Sequence, residues 1–119
     1  MSRLIFFISL LLLLNFYNLA SAEHIAELRT IDRVTGRTFK LLAPLDTNIK
    51  FANLLINIKV CIKSPPEKQP ESSAYLVIKE IGIDKVIYEG WMFASSPSLR
   101  SLEHPVYDVW LLRCKKNIN

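Results

Sequence analysis

The feature that most constrains the fold is the alternation of side-chain character over residues 54–63. A period of two places successive side chains on opposite faces of a β-strand, so this segment is predicted to be a strand with one buried face. Cys61 falls on the other face, and a disulfide formed there is expected at the rim or outer surface of the sheet. The predicted core face carries every second residue, namely Leu54, Ile56, Ile58, Val60 and Ile62.

Further strand-like runs occur at residues 27–32, 38–43, 47–51, 74–81, 85–92 and 106–114. Gly36 lies between the first two runs and can adopt positive φ, which predicts a hairpin. Ser96 followed by Pro97 is typical of the start of a short helix, and the proline-rich segment 64–73 is predicted to be an exposed loop. About seven strands and at most one short helical turn predict an all-β domain, either a small antiparallel barrel or a sandwich.

The N-terminus has the three parts of an export signal. Arg3 supplies a positive charge, residues 4–14 are apolar apart from one serine, and the small residues Ala20 and Ala22 form a small-x-small cleavage site. We therefore expect cleavage after Ala22.

This cleavage predicts a signal peptide over residues 1–22 and a single domain over residues 23–119 in the periplasm, with no membrane span in the mature chain. The alternative is an uncleaved membrane anchor, because residues 4–22 contain no charge and approach the roughly 20 residues needed to cross a bilayer.

The charge of the chain is weakly positive, with 15 basic and 11 acidic residues and a formal net charge of +4. A nucleic-acid site would show a denser basic cluster, and export argues against one as well. No nucleic-acid partner is expected, and the basic residues are interpreted as a solvated surface. They are spread along the sequence, as in Arg29, Arg33, Arg37, Lys40, Lys59 and Lys63.

The two cysteines, Cys61 and Cys114, are most simply read as one structural disulfide, because exported proteins fold in oxidising compartments. A redox site would place the thiols close together in sequence, often as C-x-x-C. Two free thiols, or a zinc site shared with His24 and His104, are the alternatives, although the short paired spacings typical of zinc ligands are missing. No cofactor or metal is expected.

The window around His104 contains the residue types of a hydrolase. His104 lies between the acids Glu103 and Asp108, and a hydrolase needs a hydroxyl activated by a base that an acid orients. No glycine-rich oxyanion loop accompanies them, so the alternative is structural: His104 begins the last strand and Asp108 accepts hydrogen bonds from backbone donors. No catalytic residue is assigned. Serines near the window are Ser95, Ser96, Ser98 and Ser101.

Aromatic residues concentrate late in the chain, where they anchor either the core or an interface. The segment that follows Trp91 is small and polar with apolar flanks, a composition suited to contact with another protein. The candidate partner-binding residues are Trp91, Met92, Phe93 and Leu99.

Four stretches resemble a family of small alphaproteobacterial exported proteins of unknown function. The most specific are Gly90-Trp91-Met92-Phe93-Ala94-Ser95-Ser96-Pro97 and the run from Leu102 to Trp110 with Cys114. The central motif of the family resembles Cys61 followed by Pro65-Pro66-Glu67. Its N-terminal hairpin resembles Val34-Thr35-Gly36-Arg37-Thr38. The resemblance implies a periplasmic domain with two cysteines and supplies no reaction.

The sequence therefore predicts a non-enzymatic periplasmic protein that acts as an interaction or assembly module of the cell envelope, with an envelope protein as partner. One alternative is a small barrel that carries a lipid or another apolar ligand. The other is a small hydrolase that uses His104 and Asp108.

Overall fold

The computed structural model describes residues 2–5, 8, 21–64, 71–96 and 102–116. Residues 2–5 and 8 are helical, and no helix in the described parts of the chain is both long and apolar enough to cross a membrane. The described strands are β1 (Ser21–Ala22), β2 (Ile25–Asp32), β3 (Arg37–Pro44), β4 (Asn48–Phe51), β5 (Leu54–Lys63), β6 (Ser72–Glu80), β7 (Lys85–Phe93) and β8 (Tyr107–Lys115).

The strands form two antiparallel sheets that pack as a sandwich. In the five-stranded sheet, β5 pairs with β6 and β6 with β7, while β1 and β4 pair with opposite ends of β5 along its other edge. In the three-stranded sheet, β2 lies between β3 and β8. The prediction of an all-β antiparallel domain is confirmed, and of its two forms the chain adopts the sandwich rather than a closed barrel.

The hairpin between β2 and β3 is confirmed and is held by local hydrogen bonds. Gly36 has φ of 74°, a left-handed conformation that costs glycine little, and its N–H donates to the Asp32 carbonyl at 2.8 Å. The Asp32 carboxylate accepts a second bond from the Val34 N–H at 2.9 Å. Turn chemistry readable in the sequence therefore sets the register of this hairpin.

The core lies between the inner faces of the two sheets. Alternate side chains of β5 and β6 enter it because a strand presents every second residue to the same face. Full burial of a valine, leucine or isoleucine side chain stabilises a fold by about 1.5–3 kcal/mol. The completely buried aliphatic residues are Ala26, Leu28, Ala43, Leu54, Ile56, Ile58, Ala74, Leu76, Ile78 and Val109.

A β-bulge interrupts the alternation of β5 at Lys59. Ile58 pairs with Leu76, whereas Val60 pairs with Tyr75, so one extra residue lies in β5 and the later residues change face. The prediction that Val60 and Ile62 share the core face is wrong for this reason.

The bulge also decides where the disulfide lies. It turns Cys61 inward, and Cys61 on β5 forms a disulfide with Cys114 on β8, with a Cα–Cα distance of 5.7 Å. The two cysteines are only 1% and 3% exposed. The expectation of a disulfide on the rim or outer surface is therefore wrong: the bond connects the two sheets through the core.

At one edge of the sandwich, the linkers that pass between the sheets make backbone hydrogen bonds to strands of both sheets. The N–H of Glu23 donates to the Cys61 carbonyl at 2.9 Å, and the N–H of His24 donates to the Lys115 carbonyl at 3.0 Å. The chain crosses again before β4, where the Asp46 N–H donates to the Ile58 carbonyl at 2.9 Å. Backbone groups at the bulge thus find partners outside the regular ladder, as buried polar groups require.

Candidate protein-binding site

The outer side of the five-stranded sheet carries a group of apolar and aromatic side chains. The register pairs Val60 with Tyr75 and Tyr75 with Trp91, and the next row pairs Ile62 with Ser73 and Ser73 with Phe93. Directly paired residues project from the same face of a sheet. We call the set formed by Val60, Ile62, Tyr75, Trp91 and Phe93 the aromatic face.

Aromatic packing orders the centre of this face. The rings of Tyr75 and Trp91 meet edge to face, with centroids 5.7 Å apart and an interplanar angle of 73°. Such pairs contribute about 0.5–1.5 kcal/mol beyond the area that they bury. The Tyr75 hydroxyl donates to Glu89 Oε2 at 2.9 Å, which fixes the ring from its polar end.

In the described parts of the chain, no strand packs over the aromatic face. Phe93 is 36% exposed and Val60 is 37% exposed, while Ile62, Tyr75 and Trp91 are half-buried. A contiguous exposed group of apolar side chains on a small domain is typical of an interaction surface.

A shallow depression of about 340 Å³ continues the same sheet side toward β4. Its lining is mixed, and the Asn57 amide nitrogen donates to Asn48 Oδ1 at 2.9 Å. An apolar centre with a polar border is the usual composition of a protein interface. The lining residues are Asn48, Leu55, Asn57, Lys59, Val77, Lys79 and Asp84.

The structure separates the residues that the sequence grouped as partner contacts. Trp91 and Phe93 lie on the aromatic face, but Met92 between them is 5% exposed and packs in the core cluster. Met92 therefore lies on the inner side of the sheet, away from the aromatic face, because neighbours in a strand point to opposite faces. Leu99 lies outside the described residues.

Sequence reasoning missed Val60, Ile62 and Tyr75 as members of the face. The first two were assigned to the core by an alternation that the bulge breaks. Tyr75 joins Trp91 only through the pairing of β6 with β7, and no local signal reports that register.

His104 is engaged by the backbone around it. Its Nδ1 accepts hydrogen bonds from the N–H groups of Val106 and Tyr107, both at 3.1 Å. Its Nε2 lies 3.6 Å from Glu80 Oε1, and its ring stacks on Tyr107 with centroids 5.2 Å apart. The imidazole thus holds the turn that leads into β8.

Asp108 is occupied in a similar way. Its Oδ1 accepts from the Val109 N–H at 2.9 Å, and its Oδ2 lies 3.4 Å from Arg33 Nη2. Arg33 also donates to the His104 carbonyl at 2.9 Å. No hydrogen bond joins the His104 and Asp108 side chains in the described structure, so the geometry does not favour the hydrolase alternative.

The serines of the same window are not brought to His104 in the described residues. The Ser95 hydroxyl and N–H both donate to the Glu71 carboxylate, and Ser98 and Ser101 lie outside the described residues. The zinc alternative loses two ligands, because the sulfurs of Cys61 and Cys114 are bonded to each other.

The carrier alternative requires space between the sheets. That space is filled by aliphatic side chains with no solvent exposure, such as Ile56, Leu76 and Ile78. The depression described above lies on the outer side of the five-stranded sheet instead.

Comparison with known proteins gives a family and no activity. Residues 26–114 match the profile of a family described as "Uncharacterized protein conserved in bacteria (DUF2155)". The chain belongs to this family. The matched region runs from β2 to β8 and includes both cysteines and the whole aromatic face.

A curated relative has the same uncharacterised status. The chain is 33% identical over 67 residues to "Uncharacterized protein RP359" of Rickettsia prowazekii (strain Madrid E). The alignment covers 54% of this chain and 43% of that protein, so the chain spans less than half the length of the relative. No solved structure matches the chain.

Proposed function

We propose that this protein is a non-enzymatic interaction or assembly module of the bacterial cell envelope, and that its aromatic face binds a protein partner. One observation carries the proposal: three adjacent strands turn five apolar or aromatic side chains toward solvent, and no described strand packs over them. Keeping such a group exposed on a domain of this size is costly unless another surface covers it.

The residue types support a protein rather than a small molecule as the partner. Tryptophan, tyrosine and phenylalanine are enriched at interfaces and supply the side chains that dominate binding energy. The Tyr75–Trp91 pair is held by ring packing and by Glu89 before any partner arrives. A preordered pair loses little side-chain entropy on binding.

The envelope location rests on two features. The N-terminal segment has the parts of an export signal, and the disulfide between Cys61 and Cys114 is a bond that persists in oxidising compartments. Both support export to the periplasm, the same location that the sequence predicts.

Site-specific crosslinking in the native envelope tests the proposal. A photoreactive phenylalanine analogue replaces Phe93 in one chain and Val34 in a control chain. Val34 is 76% exposed and lies in the β2–β3 turn, away from the aromatic face. We expect a discrete protein adduct from position 93 and none from position 34.

The contribution of the face itself is tested by adding Val60→Thr and Ile62→Thr to the chain with the probe at position 93. Threonine retains strand propensity, so the fold is preserved while two apolar contacts become polar. The adduct should weaken several-fold, whereas Ile83→Thr, at a site 63% exposed in the β6–β7 turn, should leave it unchanged. Equal adducts at both probe positions, or indifference to the Val60 and Ile62 changes, would contradict the proposal.

A further inference from the structure

The outer side of the three-stranded sheet is basic, in contrast to the aromatic face. The register places Arg29 between Lys40 of β3 and Trp110 of β8. It also places Arg113 beside Glu27, and Lys115 beside Ile25. We call the surface formed by Arg29, Lys40, Arg113 and Lys115 the basic face.

A buried carboxylate organises three of these cations. Glu27 is 2% exposed; its Oε1 lies 3.2 Å from Lys40 Nζ, and its Oε2 lies 2.8 Å from Arg113 Nε and 3.9 Å from Lys115 Nζ. The cations themselves keep much of their surface in water, with side-chain exposures of 64%, 59% and 29%. Glu27 thus holds the charged groups in place without covering them.

The basic face has more positive charge than its acidic residue can balance. Arg29 is exposed and has no ion pair in the described structure, and it stands directly opposite Lys40. Like charges in this position destabilise a sheet. Four basic residues against Glu27 leave +3, while the whole chain has a net charge of +4. Four of the cations that are scattered along the sequence are therefore brought together on one surface of the fold.

We propose that the basic face lies against a membrane surface that carries anionic phospholipid headgroups. A sheet exposes its cations in one layer, which suits a planar array of phosphates. Each lysine or arginine near an anionic membrane contributes about 1 kcal/mol. Trp110, half-buried beside Arg29, is the residue type that settles at the boundary between headgroups and hydrocarbon.

The N-terminal apolar segment favours a membrane over an acidic protein. Residues 4–22 carry no charge, and whether they serve as signal or as anchor they bring the chain to a bilayer. They join the domain through β1, which pairs with the end of β5, and the chain then reaches the three-stranded sheet at His24, whose N–H donates to the Lys115 carbonyl at 3.0 Å. The aromatic face lies on the opposite side of the sandwich, so this proposal does not depend on the proposed function.

Vesicle co-sedimentation tests the proposal. The full coding sequence is exported in a bacterial host, the chain is purified as the host leaves it, and mass spectrometry records its N-terminus. Phosphatidylcholine vesicles with and without phosphatidylglycerol are the probes. We expect binding that requires phosphatidylglycerol and weakens as the salt concentration rises, because surface attraction is screened.

Two variants that lose the same charge distinguish the effect of the basic face on vesicle binding from the effect of the net charge. Arg29→Gln with Lys40→Gln should lower the partition coefficient about 30-fold, the equivalent of about 2 kcal/mol, while Arg113 still neutralises Glu27. Lys50→Gln with Lys59→Gln removes the same charge from exposed positions in β4 and β5 and should change it less than about threefold. Thermal unfolding and circular dichroism check that both variants keep the fold.

Three outcomes would overturn the proposal. Equal losses in the two variants would mean that only net charge matters. Equal binding to neutral vesicles would mean that the apolar segment inserts without the basic face. Binding to polyglutamate without binding to anionic vesicles would identify an acidic protein as the partner.

Discussion

Removal of the disulfide should cost a large part of the stability of the domain. Cys61 and Cys114 are 53 residues apart in sequence, and the chain-entropy relation for a closed loop of this size gives about 4 kcal/mol at 25 °C. A domain of about 100 residues has a free energy of unfolding of about 5–15 kcal/mol. We therefore expect Cys61→Ala with Cys114→Ala to lower Tm by about 15–30 °C.

The assay must separate the crosslink from core packing, because both cysteines are buried. Calorimetry of the wild type with and without a reductant changes the bond while leaving the sulfur atoms in place. The double alanine variant removes the sulfurs as well. If the crosslink dominates, the reduced wild type and the double variant should unfold within about 1 kcal/mol of one another.

Two results would refute this reasoning. A reduced wild type that unfolds at the same temperature as the oxidised protein would show that the loop constraint contributes little. A reduced wild type much more stable than the double alanine variant would show that the loss of stability comes from the cavities left by the two sulfur atoms. The expected outcome has a cellular consequence: a chain that loses about 4 kcal/mol on reduction should accumulate poorly in the cytoplasm, a result that would support the export proposal.

Three further substitutions test single features of the fold by urea unfolding. His104→Ala removes the acceptor for two backbone N–H groups and should lower the free energy of unfolding by about 1–3 kcal/mol. His24→Ala, at an exposed side chain, should change it by no more than about 0.5 kcal/mol. Equal effects of the two substitutions would contradict the role of His104 in the turn. Glu27→Gln should cost about 1.5–3 kcal/mol because the ion pairs of a buried carboxylate with Lys40, Arg113 and Lys115 are lost, whereas the exposed Glu103→Gln should be nearly neutral. Leu76→Ala should cost about 2–5 kcal/mol, and a loss below about 1 kcal/mol would mean that the centre of the core is loosely packed.

Features that depend on neighbouring residues in sequence were predictable. The β2–β3 hairpin follows from Gly36 between two strand-like runs. β6 was predicted as the strand-like run at residues 74–81. About seven strand-like runs were enough to predict an all-β domain, and the two cysteines were enough to predict a disulfide. What the sequence could not supply was the register between strands, and with it the assembly of either outer face.

The structural role of His104 was predictable only as one of two alternatives. A histidine beside acidic residues has the composition of a catalytic group, yet here its Nδ1 accepts two backbone bonds. Asp108 accepts from the backbone as the structural alternative predicted. The decision between the alternatives needed the position of Arg33, which lies 71 residues from His104 in sequence.

The bulge at Lys59 was hidden for a specific reason. A bulge is visible in a sequence when it shifts an apolar residue out of phase with the pattern, but here Val60 and Ile62 remain apolar after they turn outward. The alternation therefore continues unbroken although its meaning reverses. The apolar residues Val60 and Ile62 therefore both make the outer surface apolar and hide the bulge from sequence analysis.

The same extra residue connects three features of the fold. It turns Cys61 toward Cys114, so that the disulfide crosses the core. It leaves the Ile58 carbonyl to accept the Asp46 N–H where the chain passes between the sheets. It also places Val60 beside Tyr75 on the aromatic face. A register without the bulge would return Val60 to the core and Cys61 to the surface, so the disulfide and the proposed binding face depend on one local irregularity in β5.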